Sequence, residues 1–142
     1  MKFYVDTNIY LNLWKKEGDA AKGIPYWKLA KDFFDKTEKE WDEIIFTGLI
    51  LKELQYKLTK EQFREKGDLL KSSFHKVELT QEDYKLARKL ESKNKFEIGF
   101  YDCLHIAVCK RLDLILITRD ALLLTAAKDE GLNCGKPEKF LQ

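Results

Sequence analysis

Short apolar runs alternating with longer amphipathic stretches predict an α/β fold, a three-layer α/β/α sandwich around a central parallel sheet. Three observations carry this reading. Phe3-Tyr4-Val5, Ile44-Ile45-Phe46 and Leu114-Ile115-Leu116-Ile117 are unbroken apolar runs, as strands covered on both faces require. Each run leads at once into polar residues and a helical pattern. No repeat, Ser/Gly linker or low-complexity tract divides the chain, so residues 1–142 are expected to form one domain.

The elements follow in order. The first strand ends at Asp6, and a helix starts at Thr7 with Ile9, Leu11, Leu13 and Trp14. Pro25 marks the first turn of a second helix that runs towards Lys39. The second strand passes through Thr47-Gly48 into a helix with Leu51, Leu54 and Leu58 on one side. A helix over 60–74 and a third strand over 76–79 come next. Thr80, with Asp83 three residues on, resembles the N-cap of a helix ending near Lys93. Residues 98–112 are apolar almost all round and predict a buried helix. The strand over 114–117 leads through Thr118-Arg119-Asp120 into a helix stopped by Gly131, and 132–134 is a candidate last strand. Most of the large residues Trp14, Trp27, Phe33, Phe34 and Trp41 are expected in the core.

Composition closes several doors. Apolar residues make up 44% and charged residues 35%, and no run approaches the roughly 18 apolar residues of a membrane span. Asp6 interrupts the one candidate signal segment, so the expectation is a cytoplasmic protein with no membrane partner. The net charge of +2 is too small for bulk attraction to nucleic acid, so a polyanion would need a local site. Cys103, Cys109 and Cys134 show no CxxC spacing and read as buried thiols in a reducing compartment.

In open α/β sheets, ligands sit at the carboxyl ends of the strands. Asp6 closes the first strand, Asp120 follows the strand ending at Ile117, and Glu53 lies two turns into the helix after Phe46. Each also has a plain reading: Asp6 and Asp120 as helix caps, Glu53 as a solvated helix residue. Asp102 is different, because it sits in the most apolar helix, where a carboxylate is costly to bury without a compensating group. His105, three residues on, is either that partner or a hydrogen-bonded core histidine. His75 reads as a surface residue at a strand edge.

Tyr4-Val5-Asp6-Thr7-Asn8, Glu53 in its Leu-rich helix, Tyr101-Asp102-Cys103-Leu104-His105-Ile106-Ala107 and Ile117-Thr118-Arg119-Asp120 resemble the PIN-domain nucleases in order and spacing. The resemblance spans essentially the whole chain, including the close Gly131-Leu132-Asn133 and Pro137-Glu138-Lys139-Phe140-Leu141. It implies a central parallel sheet, an acidic pocket for Mg²⁺ or Mn²⁺, and hydrolysis of RNA phosphodiesters. Asp6, Glu53, Asp102 and Asp120 match the four acids as catalytic and metal-binding residues. Thr118 matches the hydroxyl residue beside the pocket, and Asn8 the polar residue after the first acid. Both, with Arg119 as a phosphate-steering cation, are substrate-binding candidates. At this size the chain resembles the VapC-type toxin ribonucleases, which implies a homodimer and a partner antitoxin. Many such toxins carry a further acid followed by Phe after the last motif. Here that stretch is Leu122-Leu123-Leu124, which leaves Asp120 alone as fourth acid.

The chemistry stands without the resemblance. Hard divalent cations prefer carboxylate oxygens, and no Ser-His-Asp order, Walker loop or zinc cluster competes. A phosphoacceptor receiver domain would want paired early acids and a later Lys, which Asn8 and the order of the acids fit poorly. An RNA-processing nuclease without an antitoxin, and an inactive module that binds RNA or protein, remain the alternatives.

Overall fold

The computed structural model describes residues 1–142. Its elements are β1 (Lys2–Val5), α1 (Thr7–Trp14), α2 (Tyr26–Lys39), β2 (Glu43–Thr47), α3 (Gly48–Lys57), α4 (Lys60–Ser73), β3 (His75–Val77), α5 (Gln81–Lys93), α6 (Phe100–Leu112), β4 (Ile115–Ile117), α7 (Ala121–Asp129) and β5 (Cys134–Gly135). A 3₁₀ turn over Pro137–Phe140 closes the chain. The five strands form one parallel sheet in the order β3-β2-β1-β4-β5. The expected α/β sandwich is therefore present, with its strands slightly displaced from the expected bounds: β3 starts at His75, and β5 lies at 134–135.

The order of pairing places the site. Chain progression reverses between β1 and β4, so the loops after these two neighbours diverge and leave a crevice at their carboxyl ends. Tyr4 pairs with Ile45 on one side and with Leu116 on the other, and the Asp6 amide donates to the Ile117 carbonyl at 2.9 Å. Asp6 and Thr118 therefore emerge side by side. Phe3, Tyr4, Val5, Ile44, Ile45, Phe46, Leu116 and Ile117 are all buried, as the apolar runs require of a sheet covered on both faces. No helix is long and apolar enough to cross a membrane.

Helix ends account for the most visible departure from the expected core. Trp41 is 91% exposed, whereas Phe33 is buried and Phe34 and Trp14 are partly buried. The cause is the stop of α2. The Asp42 amide reaches back to the Thr37 carbonyl at 2.9 Å, and Trp41 must take a left-handed conformation with φ of +61°, which turns its side chain out. At the end of α7 the same role falls to Gly131, with φ of +79°, at no steric cost. The three cysteines are free and buried, as expected.

Helix α6, which carries Asp102 in its first turn, is anchored at its other end. Thr80 and Asp83 form the expected capping box at the start of α5. Arg111 of α6 reaches Asp83 with two hydrogen bonds, 2.8 Å from Nε to Oδ1 and 2.9 Å from Nη2 to Oδ2. Burial alone would raise the Asp83 pKa, but Arg111 and the Thr80 amide hold it below the ordinary carboxylate value. The pair's stabilisation is thus present at neutral pH and is lost as pH falls through the carboxylate range. Arg111→Ala is expected to cost about 3 kcal/mol in urea denaturation at pH 7, because it leaves a buried carboxylate unpaired. A loss below about 0.5 kcal/mol, the range of ordinary surface substitutions, would show the anchor to be unimportant.

Candidate functional site

Asp6 occupies the crevice between β1 and β4 and does two things at once. One carboxylate oxygen caps α1, accepting from the Thr7 amide at 2.8 Å. The other accepts from Thr118 Oγ1 at 2.7 Å and from Asn8 Nδ2 at 3.2 Å. The plain reading as a cap and the reading as a site residue are therefore both satisfied by one side chain. Asn8 Nδ2 also donates to Thr118 Oγ1 at 3.2 Å, which ties the three residues into one cluster. The Asn8 Oδ1 atom is buried and has no partner.

Glu53 approaches from α3. Its Oε1 accepts from Thr7 Oγ1 at 3.1 Å and lies 2.8 Å from His105 Nε2. Ligand atoms of Asp6, Glu53 and His105 all fall within 4.8 Å of one another, close enough to share one cation. Asp102, in the first turn of α6, lies outside that trio but near enough for the charges of these acids to act on it. Burial, reinforced by the charges of Asp6, Asp120 and Glu53, raises its pKa to about 6 against the pull of His105. Burial likewise raises the Asp6 pKa, opposed by His105 and the Thr118 hydrogen bond.

Asp120 stands further out and is exposed. One of its oxygens caps α7, accepting from the Leu122 and Leu123 amides at 3.0 and 3.1 Å. Its own amide donates to Thr118 Oγ1 at 3.1 Å, so Thr118 joins the innermost acid to the outermost. Arg119 is placed differently from a free phosphate-steering cation. Its guanidinium makes two hydrogen bonds to Glu138, at 3.0 and 2.9 Å, and lies 4.1 Å over the Tyr26 ring. A phosphate at Arg119 would have to displace Glu138.

His105 turns out to be a hydrogen-bonded histidine in the core, and its direct partner is Glu53 rather than Asp102. It is fully buried, and its Nδ1 lies 2.6 Å from the Tyr4 hydroxyl, which lies 3.0 Å from Thr47 Oγ1. Burial lowers the His105 pKa, but the Glu53 hydrogen bond and the charges of Asp6, Glu53 and Asp102 raise it further, leaving it above the ordinary value. In the cationic form both ring nitrogens donate, Nε2 to Glu53 and Nδ1 to Tyr4, and Tyr4 then donates to Thr47. Sequence reasoning did not single out Tyr4 or Thr47. The signal was present in the period of a strand: Tyr4 and Asp6 are two residues apart, so their side chains share one face.

The donor set fits a hard divalent cation. Two carboxylates, Asp6 and Glu53, converge with the His105 ring, and Asp102 is near enough for their charges to act on it. Asn8 Oδ1 is an unpartnered acceptor beside them, suited to a proton of a coordinated water.

The family model described as PIN domain matches residues 3–129. No curated protein matches the sequence. Among solved structures, the chain resembles VapBC2 from Rickettsia felis bound to a DNA fragment from its promoter, with TM-score 0.70 and 20% identity over 94% of this chain and 97% of that one. It also resembles VapBC-1 from nontypeable Haemophilus influenzae, with TM-score 0.71 and 18% identity over 97% and 99% of the two chains. A toxin-antitoxin complex from Klebsiella pneumoniae matches with TM-score 0.62 and 18% identity over 83% and 86%. At these identities the likeness is one of fold.

Proposed function

This chain belongs to the PIN domain family, and from that premise we propose that it is a metal-dependent endoribonuclease, the toxin of a toxin-antitoxin pair. The observation that carries the reading is the convergence of Asp6 and Glu53 with His105 in one crevice, with Asp102 outside that trio but near enough that burial and the charges of these acids raise its pKa to about 6. Such an arrangement is unfavourable without a cation, and perturbed carboxylates in a crevice mark functional sites. Mg²⁺ or Mn²⁺ held by Asp6, Glu53, Asp102 and Asp120 would supply, when bound, a water of lowered pKa and positive charge towards the leaving oxygen.

The chain's own residues do the rest. Thr118 and the Thr7 amide fix the Asp6 carboxylate, leaving little rotamer freedom to lose on binding. Thr7 and His105 do the same for Glu53. Asn8, with one free acceptor, and Thr118 border the space where a scissile phosphate would lie. Residues 1–142 act as one cytoplasmic nuclease domain in this reading, working as a homodimer and restrained by an antitoxin. The fold likeness to VapBC proteins and to a toxin-antitoxin complex supports the antitoxin.

The test is cleavage of single-stranded RNA by purified protein. Cutting is expected with Mg²⁺ or Mn²⁺ and none with EDTA. A water attacks phosphorus without help from the 2′-hydroxyl, so no cyclic phosphate should form, and membership of the PIN domain family further implies 5′-phosphate and 3′-hydroxyl ends. Undiminished cutting in chelator, or 2′,3′-cyclic phosphate ends, would overturn the mechanism.

A further inference from the structure

Two contacts bridge α3 and α6 side by side. One is Glu53–His105, inside the site. The other is Lys52–Tyr101, formed by the residues immediately beside Glu53 and Asp102. Lys52 Nζ donates to the Tyr101 hydroxyl at 2.8 Å and lies 5.2 Å from the ring centroid. Tyr101 and His105 are four residues apart on α6, so the outer contact lies about one turn, roughly 5 Å, nearer the N-terminal end of that helix.

Three features distinguish this pair from an ordinary surface contact. Lys52 is exposed and has no carboxylate within ion-pair distance, although acidic residues adjoin both members. Its one side-chain partner is instead the Tyr101 phenol, and the phenols of Tyr56 and Tyr84 also act on its charge. These three tyrosines are 39%, 76% and 46% exposed, so part of each side chain is open to a ligand. A cation without a counter-ion beside exposed rings matches the two halves of a nucleotide: a phosphate for the ammonium and a base for a ring face. Arg119, the other cation near the acids, is already occupied by Glu138.

We propose that Lys52 and Tyr101 form a nucleotide subsite at the rim of the crevice, where Tyr101 stacks a base of single-stranded RNA and Lys52 contacts the adjoining phosphate. The proposal rests on the ribonuclease reading and deepens it. Lys52 and Tyr101 are binding residues in it, and they set which nucleotide is presented to the acids.

Fluorescence anisotropy with a labelled single-stranded oligoribonucleotide, together with steady-state cleavage, tests it. Tyr101→Ala is expected to weaken binding and raise KM by roughly 5- to 100-fold, with kcat changed less than about threefold. Tyr101→Phe keeps the ring and should stay within about threefold of the parent. Lys52→Ala should weaken binding and lower the slope of log affinity against log salt by about 0.7, the loss of one phosphate contact. An abasic nucleotide walked along the RNA should abolish the Tyr101→Ala penalty at one position only. Equal effects of Tyr101→Ala and Tyr101→Phe, or a flat abasic scan, would overturn the subsite. So would unchanged RNA binding combined with dissociation of a dimer in sedimentation, which would assign the patch to a protein interface. If the parent protein cuts no RNA, the ribonuclease reading has failed. The subsite is then judged on anisotropy alone, and equal binding by parent and Tyr101→Ala overturns it.

Discussion

Asp102→Asn is expected to lower RNA cleavage by about a thousandfold while making the metal-free protein more stable above pH 6. The second half separates a functional acid from a structural one. The Asp102 pKa is about 6 in the folded chain, above its ordinary value of 3.8, chiefly through burial and then through Asp6, Asp120 and Glu53. The folded state therefore binds this proton more tightly than the unfolded state does. The associated stability is present below about pH 4 and is lost as pH rises through 6, on the order of 3 kcal/mol in all. Asparagine carries no charge and escapes that loss. At pH 7.5 without metal the variant should melt up to about 10 °C above the parent, and the gap should close near pH 4. Mn²⁺ at a hundred times its dissociation constant should stabilise the parent by about 2.7 kcal/mol and the variant far less. A variant that melts lower than the parent at pH 7.5, yet responds fully to Mn²⁺, would make Asp102 a structural acid and the proposed site wrong.

Tyr4→Phe removes a single hydroxyl far from solvent and is expected to act on the site through His105. The hydroxyl lies between His105 Nδ1, at 2.6 Å, and Thr47 Oγ1, at 3.0 Å, and all three residues are buried. Its loss leaves two buried polar groups without a partner, at a cost of about 1–3 kcal/mol in denaturation. It also frees the His105 ring, which meets Glu53 through Nε2 at 2.8 Å. Groups that orient a metal ligand typically contribute 10- to 100-fold in metal affinity, so Mn²⁺ binding measured by titration calorimetry should weaken by about that factor. Unchanged affinity beside a reduced stability would confine the Tyr4–His105 contact to the core.

These experiments turn on groups that differ in how far the chain announces them. Asp6 and Asp120 could be found by position alone, because polar residues directly after a buried apolar strand, or within three residues of it, have few places to go but the carboxyl edge of the sheet. Asp102 could be found by contrast, since a carboxylate in the helix that carries Cys103, Leu104, Ile106, Ala107 and Val108 contradicts its surroundings. The parallel sheet was equally open to inspection in the three apolar runs. Local chemistry decided these features, and local chemistry is what a sequence displays.

Tertiary structure alone decided the partnerships. Glu53 is unremarkable on α3 until β2 and α6 bring it to His105, and the separation of 52 residues between them leaves no periodic trace. Arg119 reads as a free cation beside the site until the terminal turn supplies Glu138 from 19 residues away. Trp41 reads as core until the closing turn of α2 forces it into the left-handed region and out of the protein. Lys52 and Tyr101 each look like surface residues until α3 and α6 are set side by side, 49 residues apart in sequence. Hydrophobic periodicity specifies which residues are buried and in which element. It carries no record of which polar group each buried or exposed charge will meet, because that depends on the packing of elements distant in the chain.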